Sequence, residues 1–247
     1  MKLLIRVIVS VVIAAAGMAQ MPPPKGVRTI DFYRVKRDRI EDFQAAVKDY
    51  NVALKKAGGP IGYTMFVALS GPAEYIRIID HPNWAEMDSG AFSTSKYPGQ
   101  AAEITLADRR IRDANDGARR VVVELYPDFS SPGNGMPKMM ILQWTKLVPG
   151  RGGEFLAILD SDLMPAMRKL ARYHLLARVA LGEAQYQLLR FTGMENYATL
   201  DADSFAKTMG AENQAYRARL ERLTLEVRED VYRYLPELSY QPVGSSK

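Results

Sequence analysis

One hexapeptide occurs twice in the chain, with related residues in each copy. Leu125-Tyr126-Pro127-Asp128-Phe129-Ser130 stands near the middle, and Tyr234-Leu235-Pro236-Glu237-Leu238-Ser239 near the end. Each copy follows a charge-rich amphipathic segment and closes a unit that opens with a short apolar run. A step of 112 positions carries Ile30-Asp31-Phe32-Tyr33-Arg34-Val35 onto Leu142-Gln143-Trp144-Thr145-Lys146-Leu147. The same step carries Asp42-Phe43 onto Glu154-Phe155 and Val67-Ala68-Leu69 onto Val179-Ala180-Leu181. With small insertions, residues 85–88 fall on 198–201 and Phe92 on Phe205, and the closing hexapeptides match at a step of 109. Two copies separated by loop insertions give a drifting offset of this kind, and each copy is then one supersecondary unit that must cover its neighbour.

Within the first copy, residues 28–35 alternate and are rich in β-formers, so they predict a strand. Ile40, Phe43, Val47, Tyr50 and Leu54 recur at helical spacing, which predicts a helix over 38–57 that Gly58-Gly59-Pro60 ends. Strands at 61–69 and 74–79 flank the turn Ser70-Gly71-Pro72. A helix opens over 82–87, another follows over 101–113, and 121–126 close the unit as a strand. The second copy repeats the order. It has a strand at 139–147, a helix over 154–172 kinked at Pro165, and a hairpin of 174–181 and 185–191 about Gly182. Helices over 195–209 and 211–228 lead to a last strand at 231–235.

Each half therefore reads β-α-β-β-α-β, the ferredoxin-like order, with helices on one face of an antiparallel sheet. The bare faces of two such sheets can cover each other. The fold class expected is α+β: two tandem ferredoxin-like repeats, at 28–130 and 138–240, whose antiparallel sheets pack face to face within one chain. A Pro- and Gly-containing linker at 131–137 joins them, and 241–247 form a tail.

The first nineteen residues read differently. Lys2 and Arg6 flank an apolar run from Val7 to Ala16, followed by Gly17 and Ala19. This is a basic, then apolar, then small-residue order, as in a secretory signal, and the run is short for a membrane span. Residues 1–19 are expected to be a signal peptide, with a Pro-rich linker at 20–27 and a periplasmic or secreted mature protein. Removing Lys2 and Arg6 lowers the formal charge from +5 to +3, with the remaining bases interleaved among acids, so nothing points to nucleic acid. The chain has no cysteine, which excludes disulfides, thiolate metal sites and a cysteine nucleophile. No G-x-S-x-G, H-E-x-x-H, Walker A or Rossmann glycine pattern is present.

The paired halves, each with a helix after its hairpin that carries an aromatic and acids (Trp84-Ala85-Glu86-Met87-Asp88 and Tyr197-Ala198-Thr199-Leu200-Asp201), resemble the dimeric α+β barrel superfamily in tandem form. Among its members the chain is most similar to the NIPSNAP-type and antibiotic-biosynthesis-monooxygenase-like groups, over nearly all of 28–240. That superfamily includes cofactor-free monooxygenases, isomerases, haem enzymes and proteins of no known activity, and fold does not choose among them.

Two histidines are present. His81 sits where a strand passes into a helix, as a loop residue or a general base. His174 starts a strand. The haem members take an axial histidine from a helix beside the cavity, a setting His174 lacks, and no cofactor or metal is expected. If Ile30 and Phe32 pack on the helices, Asp31 and Tyr33 point between the sheets, joined by Gln143 and Thr145 from the other copy. Arg77 and Arg178 are then the cations that pair with Asp31 or bind an anionic ligand. Asp31, Tyr33, Arg77, Gln143, Trp144 and Arg178 form the candidate ligand site, and His81, Asp31 and Tyr33 the catalytic candidates. The expected function is exported binding of a small ligand in or beside the barrel. Its rivals are a cofactor-independent monooxygenase or isomerase acting on a small aromatic or polyketide-like substrate, and a self-associating structural module forming a homo-oligomer.

Overall fold

The computed structural model describes residues 26–242 apart from 89, 91, 132–134, 184 and 202–203. The expected signal, most of the Pro-rich linker, the middle of the inter-repeat linker and the end of the tail lie outside the described residues. In chain order the first half runs β1 (Val27–Val35), α1 (Ile40–Lys56), β2 (Thr64–Ala68), β3 (Glu74–His81), α2 (Trp84–Asp88), α3 (Ala101–Asp113) and β4 (Asn115–Leu125). The second runs β5 (Met139–Leu147), α4 (Gly152–Ile158), α5 (Met164–Lys169), β6 (His174–Leu181), β7 (Leu188–Met194), α6 (Ala198–Asp201), α7 (Ser204–Met209), α8 (Glu212–Glu221) and β8 (Thr224–Tyr234). The strands close into one barrel in the order β1-β3-β2-β8-β5-β7-β6-β4. Every neighbouring pair is antiparallel, and β4 returns to pair with β1. The tandem arrangement is thus a dimeric α+β barrel made by a single chain.

The barrel interior is a packed core. Ile30, Phe32, Phe66, Ile76, Trp144, Phe191 and Tyr232 fill it, drawn from both halves. This reverses the expected facing of β1, because Ile30 and Phe32 point inward while Asp31 and Tyr33 point to the helices. The reason is physical: both faces of β1 are buried, so a period of two separates the faces without saying which is which.

Two further differences concern β4 and β8. Each starts well before its expected residue, 115 against 121 and 224 against 231, and the helix expected over 211–228 stops at Glu221. The charges before the last strand read as a solvated helix over 211–228, and those ahead of 121 belong to no expected element, yet both sets end on the barrel rim. The Arg119 guanidinium lies 3.7 Å from the Phe32 ring centre and that of Arg228 lies 4.9 Å from Trp144, contacts in which the cation is held by the ring face. The helix expected over 154–172 is also interrupted. Pro165 cannot donate to the preceding turn, and a wide π turn over Leu159–Leu163 takes up the mismatch between α4 and α5.

The repeated hexapeptides cross between the halves. Ser130 Oγ donates to the Tyr126 carbonyl and accepts from the Leu176 N–H on β6, in the other half. Ser239 Oγ donates to the Leu235 carbonyl and accepts from the Met65 N–H on β2, again in the other half. Tyr126 then packs in the helix-side core of the second half, and Leu235 and Leu238 in that of the first. Each copy therefore closes its partner's core, which is why the motif occurs twice.

Candidate functional site

On the helix-facing side of the first half, register places Arg120, Asp31 and Arg77 in one row across β4, β1 and β3. Asp31 accepts from Arg77 Nη2 at 2.7 Å and from Arg120 Nε at 2.6 Å. Burial pushes its carboxyl pKa up, but Arg77 and Arg120 outweigh that and hold it below the usual range. Arg77 is boxed in by rings, its guanidinium 5.4 Å from the centre of Tyr63, 5.6 Å from Tyr33 and 5.7 Å from Phe92. Phe43 of α1 packs in a tilted arrangement against Tyr75 at 4.8 Å and Tyr33 at 5.8 Å between ring centres. These rings take up the space between sheet and helices. His81 lies on the same face, 3.2 Å from the Thr29 hydroxyl, and burial lowers its pKa against the pull of Asp80 and Glu86.

The same row in the second half is Glu229, Gln143 and Arg190 across β8, β5 and β7. Three replacements follow from the repeat. Gln143 stands where Asp31 does and Thr145 where Tyr33 does, and by register Leu188 stands where Tyr75 does. A carboxylate and two large rings are lost. What remains is a cleft of about 640 Å³ between the sheet and the helices. Its floor is Ile141, Gln143, Thr145, Arg190 and Thr192. Its walls are Phe155, Leu163 and Met167 on one side and Tyr216, Arg217 and Leu220 on the other, with Arg172 at one end. Polar groups thus line the face of a sheet that is ordinarily apolar, a combination that suits a bound small molecule.

Gln143 Nε2 donates to Glu229, which directs the amide toward β8 and away from Arg190. Arg190 Nε is buried with no hydrogen-bond partner among the described residues. Burial raises the Tyr216 phenol pKa, and Arg190 beside it pulls the other way. His174 pairs in register with Thr192 at the end of the floor and is fully buried. Neither of its ring nitrogens has a hydrogen-bond partner among the described residues. Burial, then Arg190 and Arg172, bring its pKa down to about 3, so the ring is neutral.

The sequence candidates therefore divide. Asp31, Tyr33, Arg77 and His81 share one face, but that face is filled. Trp144 points into the barrel, and Arg178 is spent on Glu124, which also accepts from Trp84 Nε1 at 3.0 Å. Only Gln143 lies in the cleft. Arg190, Arg172, Tyr216 and Thr192 were not singled out, although the repeat carries a signal for Arg190, since Arg77 keeps its arginine counterpart while Asp31 does not keep its acid. A haem ligated by histidine does not fit the cleft, because no histidine lines it and the His174 ring is enclosed on a strand. Among the described residues no three His, Cys, Asp or Glu side chains gather to hold a metal ion, and no helix is long and apolar enough to cross a membrane.

No protein-family model matches the sequence, and no curated protein matches it. Solved structures do resemble it in fold. A protein assigned as a monooxygenase from Lactobacillus acidophilus NCFM superposes with a TM-score of 0.63 at 7% identity, covering 88% of this chain and 97% of the other. An anthrone oxidase-like protein gives 0.53 at 9% identity, covering 90% and 97%. A chlorite dismutase variant from Candidatus Nitrospira defluvii gives 0.55 at 11% identity, covering 87% and 93%. At these identities the likeness establishes the shared fold, the dimeric α+β barrel, and leaves function to the site.

Proposed function

We propose that the protein binds a small organic molecule beside the barrel, in the cleft under the helices of the second half. The observation that carries this is the contrast in filling. The same layer is closed by Tyr33 and Tyr75 in the first half and, among the described residues, is open over a polar floor in the second. Apolar walls from Phe155, Leu163 and Met167 suit a flat, largely apolar body, and the floor supplies donors to orient it. Native mass spectrometry of the purified protein, beside its Thr145→Tyr variant, tests the reading. A small molecule should travel with the wild type and be lost from the variant, which writes the first half's ring into the cleft. Retention in the variant would place the ligand elsewhere.

A second reading, oxygenation of an aromatic or polyketide-like substrate without a cofactor, draws on the monooxygenase and anthrone oxidase-like fold neighbours. In this chain it would fall to Arg190 to stabilise the substrate's anionic form, because Asp31, Tyr33 and Trp144 do not reach the cleft. Oxygen uptake with anthrone as probe, unchanged by Arg190→Met, would remove it. Export through residues 1–19 belongs to the same proposal, and sequencing the N-terminus of protein from cell fractions checks it, Gln20 being the expected first residue.

A further inference from the structure

The first half contains a template for what the cleft binds. There Arg77 is satisfied by a carboxylate, with its Nε 3.1 Å and its Nη2 2.7 Å from Asp31 Oδ2. Arg190 is the counterpart of Arg77 by repeat and by register, since Asp31 faces Arg77 as Gln143 faces Arg190. Its carboxylate is missing. Gln143 has neither the charge to replace it nor the orientation, its amide being bonded to Glu229. The Tyr216 hydroxyl stands beside this guanidinium, but the buried Nε has no hydrogen-bond partner among the described residues, which is costly, and an ionised acceptor is its strongest partner. The replacement of Tyr33 by Thr145 and of Tyr75 by Leu188 opens the space above this guanidinium, where Arg77 is walled by rings.

We infer that the ligand carries an anionic oxygen group, a carboxylate or an enolate, which docks on Arg190 in the place held by the Asp31 carboxylate in the first half. This rests on the proposed use of the cleft as a binding site. The acids around the cleft do not oppose it. Glu229 is exposed and held by Gln143, Glu226 accepts from the Tyr186 hydroxyl, and Glu221 is exposed on α8. Arg172, whose Nε donates to the Gly193 carbonyl, adds positive charge at the His174 end.

Two matched probes test the inference, 2-naphthoate and its neutral amide, 2-naphthamide, titrated into the full chain by calorimetry at neutral pH. The acid should bind at least tenfold tighter than the amide. Arg190→Met should abolish that preference, the acid losing far more affinity than the amide. Gln143→Asp with Glu229→Arg rebuilds the first half's triad, satisfies Arg190 internally, and should remove acid binding even if Arg190→Met fails to fold. Equal binding of both probes to the wild type overturns the anionic group and leaves the cleft as a binding site. So does a preference for the acid that survives either variant. Binding of neither probe to folded wild type counts against both the inference and the cleft.

Discussion

In the first half the middle row of the helix-facing sheet is Arg120, Asp31 and Arg77; in the second it is Glu229, Gln143 and Arg190. Around the first row stand Tyr33, Tyr63 and Tyr75, and at the matching places around the second Thr145, His174 and Leu188. Strand order and closing hexapeptides are shared, whereas α1 is continuous and its counterpart is broken into α4 and α5 by the π turn, so the difference lies in the helical layer and in the side chains beneath it. A triad whose charges satisfy each other needs no ligand and can be sealed. A row that lacks its central carboxylate and its rings stays open and asks for a partner. On the proposed reading, one copy of the repeat contributes mainly to stability while the other is left free for binding.

The largest effect should come from breaking the sealed row. Asp31→Asn leaves Arg77 enclosed without a carboxylate, and removing one partner of a buried pair costs about 3–5 kcal/mol. Gln143→Ala, at the matching place in the open row, should cost less than about 1 kcal/mol, since the residue lines a cleft that water reaches. Urea unfolding of both variants checks this. Equal costs would mean that the two rows carry similar load, and the division of labour would fail.

A smaller effect separates the halves by pH. An unfolded histidine titrates near 6.5, whereas His174 in the fold titrates at about 3. Between these values the unfolded chain binds the extra proton, so His174 makes the unfolding free energy fall as pH drops through this window. Above the unfolded value it contributes nothing. The slope is at most about 1.4 kcal/mol per pH unit. His174→Phe should therefore gain on the wild type steadily as the buffer is taken from neutrality toward pH 4. Tyr63→Phe, at the matching place in the first half, should show no such trend, because burial only raises that phenol's pKa. Parallel pH curves for wild type and His174→Phe would show that the imidazole is reached by protons in the native state.

The fold was legible in the sequence because the repeat and the alternation of β1 and β5 survive divergence, and element order alone then implies two sheets that cover each other. The candidate cleft was not, for two reasons visible in particular residues. Asp31 and Phe32 are both buried, so alternation along β1 could not say which of them faces the helices. Arg190 carries no signal of its own in the sequence, because what sets it apart is the carboxylate that faces Arg77 and is replaced by Gln143. A repeat compared for what it keeps finds the scaffold, and Leu125 to Ser130 did so. Compared for what it changes, from Asp31 to Gln143 and from Tyr33 to Thr145, it finds the cleft.

The smallest effects should fall where the halves are alike. Ser130 and Ser239 each hold a carbonyl of their own turn and an N–H of the opposite half, with N–H to Oγ distances of 3.2 Å at Leu176 and 2.9 Å at Met65. Replacing either by alanine strands one strand amide and loses one turn bond, a cost of about 1–2 kcal/mol. The two costs should be nearly equal, and the double variant should show their sum, since the serines share no partner. Chemical unfolding of the two single variants and the double variant decides between outcomes. A sum would show two independent seams of one barrel. A double variant costing much less than the sum would mean that losing one seam already frees the other, so that the halves separate as a unit and the shared scaffold is held by both crossings together.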